Sequence, residues 1–169
     1  GSANNTAMGY NALAANTTAT ANTAIGSQSM QLTTTGNNNV ALGYNTLATN
    51  LVASSITAIG YNSLAANTAS QNTAVGSQSM QLNTTGTLNV ALGFNALAAS
   101  TTGSANTAIG YNALGLSTAT GSANNTAIGS RALQANTTAT ANTAVGSQSL
   151  QSNTSGTQNV ALGYNTLAT

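Results

Sequence analysis

In a chain of 169 residues, one side chain is charged, Arg131, and Asp, Glu, His, Lys, Cys, Pro and Trp are absent, whereas ordinary soluble domains carry about 25% charged residues. Such a chain lacks the groups that general acid–base catalysis uses near neutral pH and the thiolates, imidazoles and carboxylates that hold zinc, calcium or magnesium. One arginine cannot neutralise a nucleic-acid backbone, and no apolar run nears the roughly 18 residues of a membrane span.

The first candidate element is Asn5-Thr6-Ala7-Met8-Gly9-Tyr10, and variants of the same phrase return along the whole chain. Its glycine recurs at Gly9, Gly26, Gly43, Gly60, Gly76, Gly93, Gly110, Gly129, Gly146 and Gly163, at spacings of 17, 17, 17, 16, 17, 17, 19, 17 and 17. The residue two before each glycine is always alanine: Ala7, Ala24, Ala41, Ala58, Ala74, Ala91, Ala108, Ala127, Ala144 and Ala161. The residue just before the glycine is Ile, Val, Leu or Met, and the residue four after it is Leu or Met in all ten units. Four before it stands Asn in nine units, with Ile56 the exception. Tyr10, Tyr44, Tyr61, Phe94, Tyr111 and Tyr164, the six aromatics of the chain, directly follow their glycines, and the other four units have Ser there.

A longer order overlies this period. The units cycle through Tyr-rich, Gln-rich (Ser27-Gln28-Ser29-Met30-Gln31) and Val-rich (Asn39-Val40-Ala41-Leu42-Gly43) types. Residues 1–49 match residues 121–169 at 38 of 49 positions. The chain starts and stops inside the pattern, with no initiating Met and no basic-then-apolar leader, so it reads as a mature or excised part of a longer chain. The whole of 1–169 is one repeat array.

Within each phrase, Thr and Ile alternate with Ala and Gly. That period of two is the signature of a strand with one nearly flat face. Invariance of Ala and Gly suggests a neighbouring backbone close by, either across the coil or across a chain interface. After the next Asn or Gln, a small residue and then Leu or Met suggest a corner and a second short strand. Asn16-Thr17-Thr18, Thr34-Thr35-Gly36, Thr84-Thr85-Gly86 and Thr101-Thr102-Gly103 are turn-formers. A helical reading fails on the density of Gly, Asn, Thr and Ser. The sequence therefore predicts an all-β solenoid or β-roll of ten coils of about 17 residues, stacked at about 4.8 Å into a rod of roughly 45–50 Å. Asn, Ala and Tyr would form ladders along it, the Asn side chains pairing up and down the stack.

Asn106–Leu114 reads NTAIGYNAL and Asn5–Leu13 nearly so. This resembles the repeats of phage tail-fibre and related bacterial surface proteins, and the shorter core Ala-x-Gly-x-x-Ser/Ala-Leu is similar to the head repeats of trimeric autotransporter adhesins. Those heads are left-handed parallel β-rolls assembled as trimers, with coils shorter than those here and with charged residues. The resemblance implies an extracellular, cell-surface or virion location and a homotrimer. It carries over structural positions and no functional residues.

Three functions follow as expectations: the shaft of a fibre or adhesin, a self-assembling extracellular filament, and a glycan- or ice-binding solenoid. The thin core of each coil favours self-association, as homotrimer or filament. The aromatic column suits a cell-surface glycan, while its plainer role is packing between coils or chains. Thr18, Thr20 and Thr23 hint at an ice-matching ladder that recurs only near residue 138. Arg131 reads as a lone surface charge. Six N-x-S/T sequons, at Asn4, Asn16, Asn83, Asn124, Asn136 and Asn153, are mostly the by-product of a chain rich in Asn and Thr. No catalytic residue, cofactor, metal, nucleic-acid partner or membrane insertion is expected.

With no Asp, Glu, His, Cys or Lys, only chain termini change protonation between about pH 4 and 9, so the linkage slope of stability on pH is close to zero. The melting temperature, followed by circular dichroism, is expected to stay level across that range. A swing of many degrees would contradict this reading.

Overall fold

The computed structural model describes residues 2–117 and 122–168. Each unit contributes one three-residue strand: β1 Thr6–Met8, β2 Thr23–Ile25, β3 Val40–Leu42, β4 Thr57–Ile59, β5 Thr73–Val75, β6 Val90–Leu92, β7 Thr107–Ile109, β8 Thr126–Ile128, β9 Thr143–Val145 and β10 Val160–Leu162. They form one parallel sheet in sequence order. The register puts Ala7 on Ala24, Ala24 on Ala41, and so on to Ala144 on Ala161. The chain is thus a β-solenoid, and the described residues form no α-helix.

The alternation within each strand sorts the side chains as expected. Alanines Ala24 to Ala144 are fully buried, while the Thr or Val and the Ile, Val or Leu that flank them are half-buried or exposed. The Leu or Met four residues past the glycine is buried from Met30 to Leu133 and joins the alanines in one apolar cluster that runs the length of the stack. The neighbour that the alanine meets is therefore the core of its own coil.

The expected second strand is not there. The segment Phe94–Ala99 is a run of turns, with Asn95 and Leu97 both in the left-handed region, at φ 55° and 52°. Alternate amides close turns within the coil, Ala96 to Gly93 at 3.4 Å and Ser100 to Leu97 at 3.2 Å; Leu97 and Ala99 donate instead to Ala113 and Gly115 of the next coil, at 3.0 and 3.3 Å. This staircase imitates a strand in sequence, because it also sends alternate residues to opposite sides. The left-handed region costs an L-residue roughly 1–2 kcal/mol, and full burial of a leucine side chain returns about 1.5–3 kcal/mol. Asn suits the outer left-handed position because it tolerates that conformation better than bulky or β-branched residues, and Gln28 and Arg131 adopt it in their coils as well.

Coil length varies only at the corner after the leucine. The 16-residue coil has Asn67-Thr68-Ala69 where its neighbour has Asn50-Leu51-Val52-Ala53, and strand register resumes at Thr57 on Thr73. The 19-residue coil places its extra residues between Ser117 and Ser122, a stretch whose residues 118–121 lie outside the described ones, and register resumes at Thr107 on Thr126.

Replacing Leu97 with Ala is expected to cost about 2–5 kcal/mol. Ala74→Leu and Ala91→Leu should each overpack the core by roughly 1–3 kcal/mol, and the damage spreads because each coil is held by its neighbours. Ser77→Leu and Thr101→Leu, at partly exposed sites, should change the unfolding midpoint far less. Equal midpoints for the alanine and surface variants would show that the alanine face is not close-packed.

Candidate functional surface

Two polar columns line the corner of the coil, and both serve the backbone. The asparagine four before the glycine bridges to the next coil with both ends of its amide. Asn89 Oδ1 accepts the Asn106 N–H at 2.9 Å, and Asn89 Nδ2 donates to the Gly103 carbonyl at 2.8 Å. The same two contacts recur at Asn22, with Asn39 and Gly36, and at Asn142, with Asn159 and Gly156. Side chains also pair up and down the ladder, Asn89 Nδ2 with Asn72 Oδ1 at 3.3 Å, Asn125 Nδ2 with Asn106 Oδ1 at 3.1 Å and Asn159 Nδ2 with Asn142 Oδ1 at 3.0 Å. The expected pairing of Asn with Asn is thus present in part of the ladder, and the bonds to backbone are added to it, because a fixed coil pitch brings the same N–H and C=O within reach at every step.

The second column, seven residues past the glycine, clamps its own corner. Asn50 accepts from the Ala53 N–H and donates to the Ala53 carbonyl, both at 3.0 Å. Asn16 and Asn153 do the same with Ala19 and Gly156. Four of the six sequons fall on this column, and among them Asn83 and Asn136 are fully buried. Only Asn4 and Asn124 are exposed sequon asparagines.

The outer surface carries the candidate binding residues. The aromatics stack in adjacent coils: Tyr44 on Tyr61 with centroids 5.7 Å apart and planes at 12°, and Phe94 on Tyr111 at 5.8 Å and 9°. Ser27 and Ser77 interrupt the column. Stacked in this way the rings cover one another's faces, and they stand beside an amide column in which Asn45 Nδ2 donates to Asn62 Oδ1 at 2.9 Å. Arg131 stands in that amide column with its guanidinium carbon 5.9 Å from the Tyr111 ring centroid, within cation–π range. Thr20, one of the threonines considered for ice, is tied to Asn37 Oδ1 through both its N–H and its hydroxyl. Thr23 sits against Val40 in the next coil, so no unbroken threonine ladder lies on the sheet.

The sheet itself presents a surface that the alternation alone does not single out. On each strand the residue before the alanine and the residue after it point outward and continue into the aromatic column, as Val40, Leu42 and Tyr44 do. Leu42 and Leu92 keep 43% and 45% of their surface. The signal was available, since the position before every glycine is apolar although its side chain lies opposite the buried alanine.

No cavity forms among the described residues, and no helix of these residues is long and apolar enough to cross a membrane. Comparison with protein-family models, curated proteins and solved structures finds no match for this chain.

Truncating Asn89 to Ala would strand the buried Asn106 N–H, at an expected cost of about 1–3 kcal/mol. Asn45→Gln, on the outer amide column, should cost little, and the two variants are compared by denaturant unfolding. Equal midpoints would mean that water replaces the Asn89 bridge.

Proposed function

We propose that the chain is a structural segment of an extracellular fibre, a shaft that spaces other parts of its protein apart, and that it performs no catalysis. The observation that carries this reading is the uninterrupted ladder. One sheet and one core pass through all ten coils, and inside the coil the bridging asparagines, as at Asn39 and Asn89, serve the backbone of the neighbouring coil. The phage-fibre and adhesin-head resemblance of the NTAIGYNAL phrase points the same way, toward a virion or cell surface. Copies associate side by side in this reading.

A self-assembling filament is the second reading, favoured by the return of residues 1–49 at 121–169 with 38 of 49 positions kept. A filament uses repeated surface and a shaft uses repeated length, so the two separate on deletion.

Removing residues 44–93 joins Gly43 to Phe94, two equivalent points of the repeat, and takes out three coils. A shaft is then expected to shorten by roughly 14 Å and remain folded, with any terminal binding activity intact, as read by small-angle scattering and by attachment of the assembly that carries it. If instead the shortened chain loses binding in proportion to the coils removed, the shaft reading fails.

A further inference from the structure

The outward face of the ten-stranded sheet is a stripe three residues wide, and it holds no charged side chain. Its columns are the Thr or Val before each buried alanine, the Ile, Val, Leu or Met after it, and the aromatic or Ser beyond the glycine. Val40, Leu42, Tyr44, Val90, Leu92 and Phe94 are all exposed along it. The middle column is apolar in every coil, and in the coils of β3, β6 and β10 all three columns are; exposed apolar surface that recurs in this way marks an interaction site. We propose that this stripe docks a second copy of the same chain, face to face.

Three features select that occupant. The columns repeat at the coil pitch of about 4.8 Å, a spacing that another stack of the same coils matches along its whole length. Both faces are neutral, and the single charge, Arg131, lies in the amide column beside the stripe, so like faces meet without repulsion. The stripe measures roughly 45 Å by 13 Å, taking about 4.8 Å per coil and about 3.3 Å per residue. Two such faces bury on the order of 1,200 Å², the lower end of a stable specific interface. The face also limits sliding. Bulky coils come in pairs, Tyr44 with Tyr61 and Phe94 with Tyr111, separated by the Ser77 coil. Over these coils, a shift by three restores bulky against bulky and small against small, whereas other shifts do not.

This inference rests on the reading that copies associate, and adds which surface they use. Leu42→Lys with Leu92→Lys charges the stripe. Leu32→Lys with Leu82→Lys charges equally open leucines, 43% and 49% exposed, on the turn side of the coil. Light scattering after size exclusion should give the parent and the turn-side variant a multiple of the chain mass, and the stripe variant the mass of one chain, with unchanged circular dichroism. Because a charged stripe could also unsettle the fold, a second measurement leaves it apolar. A spin label on Ser77→Cys should lie close to its counterpart in the partner, and one on Thr35→Cys, at the exposed corner, should not. A monomeric parent would overturn the docking and leave the shaft intact. Dissociation by both charged pairs, or by the turn-side pair alone, would overturn the choice of face, as would close approach of the Thr35 labels.

Discussion

Each coil lies flat on the next at the distance a parallel backbone ladder allows, and the rest of the molecule is arranged around that pitch. The glycine is where the constraint binds hardest. At Gly93 φ is +133°, and a Cβ there would stand 2.6 Å from the Gly110 carbonyl oxygen. Both the backbone conformation and the space exclude a side chain, so the residue is fixed twice over. The pitch also limits what can lie inside. One long apolar side chain per coil is the rule, the leucine or methionine, with Ile56 a second beside Leu47, and around it stand alanine, serine, threonine and asparagine.

A core that narrow cannot stabilise by apolar area alone, and the asparagines show how the remainder is organised. Parallel strands of three residues satisfy few amides and the turn staircase pairs many of the others with backbone, while a buried corner N–H or C=O left without a partner costs about 1–3 kcal/mol. The bridging asparagine supplies one acceptor and one donor per coil at the corner, as Asn39 does for Ile56 at 3.0 Å and Ala53 at 2.9 Å. The bridge also specifies register, since the amide oxygen accepts from the N–H of the equivalent residue of the next coil, as Asn89 does from Asn106. Ile56 breaks the column once, and there the alignment of Thr57 on Thr73 holds through the strand itself. Insertions and deletions fall at the corner, beyond the leucine.

Much of this was legible in the residues. The period, the single array and the inward alanine follow from alternation around an invariant glycine, because a strand sorts neighbours onto opposite faces. The turn staircase was not legible as such. The phrase Phe94-Asn95-Ala96-Leu97 alternates like a strand, and only the left-handed backbone of Asn95 and Leu97 tells the two apart. The Asn that recurs two past the glycine was the available clue, as a residue type that tolerates that conformation. The asparagine ladder and part of its Asn-to-Asn pairing follow from the stacking of like on like, but its backbone partners do not, since sequence does not give the direction of an amide. The outward stripe follows from the same alternation, whereas its exposure depends on the backbone that places Leu42 and Leu92 on the surface.

Two periods coexist in the chain, and they divide the molecule between inside and outside. The inner columns repeat at every coil: Ala24, Ala41 and Ala58 succeed one another without variation, and Met30, Leu47 and Leu64 nearly so. The outer aromatic column instead follows the three-unit cycle, with Ser27, Tyr44 and Tyr61 in succession. Stacking requires the short period, because each coil sees only its neighbours. Nothing in stacking requires the longer one, since Ser27 and Tyr44 occupy equivalent backbone positions in equally regular coils. The two near-copies, 1–49 and 121–169, differ mainly on the outside, as at Tyr10 against Ser130 and Asn11 against Arg131, while the inner Met30 becomes only Leu150. The coil period is thus the requirement of the fold, and the three-coil period is a property of the outer surface that stacking leaves free.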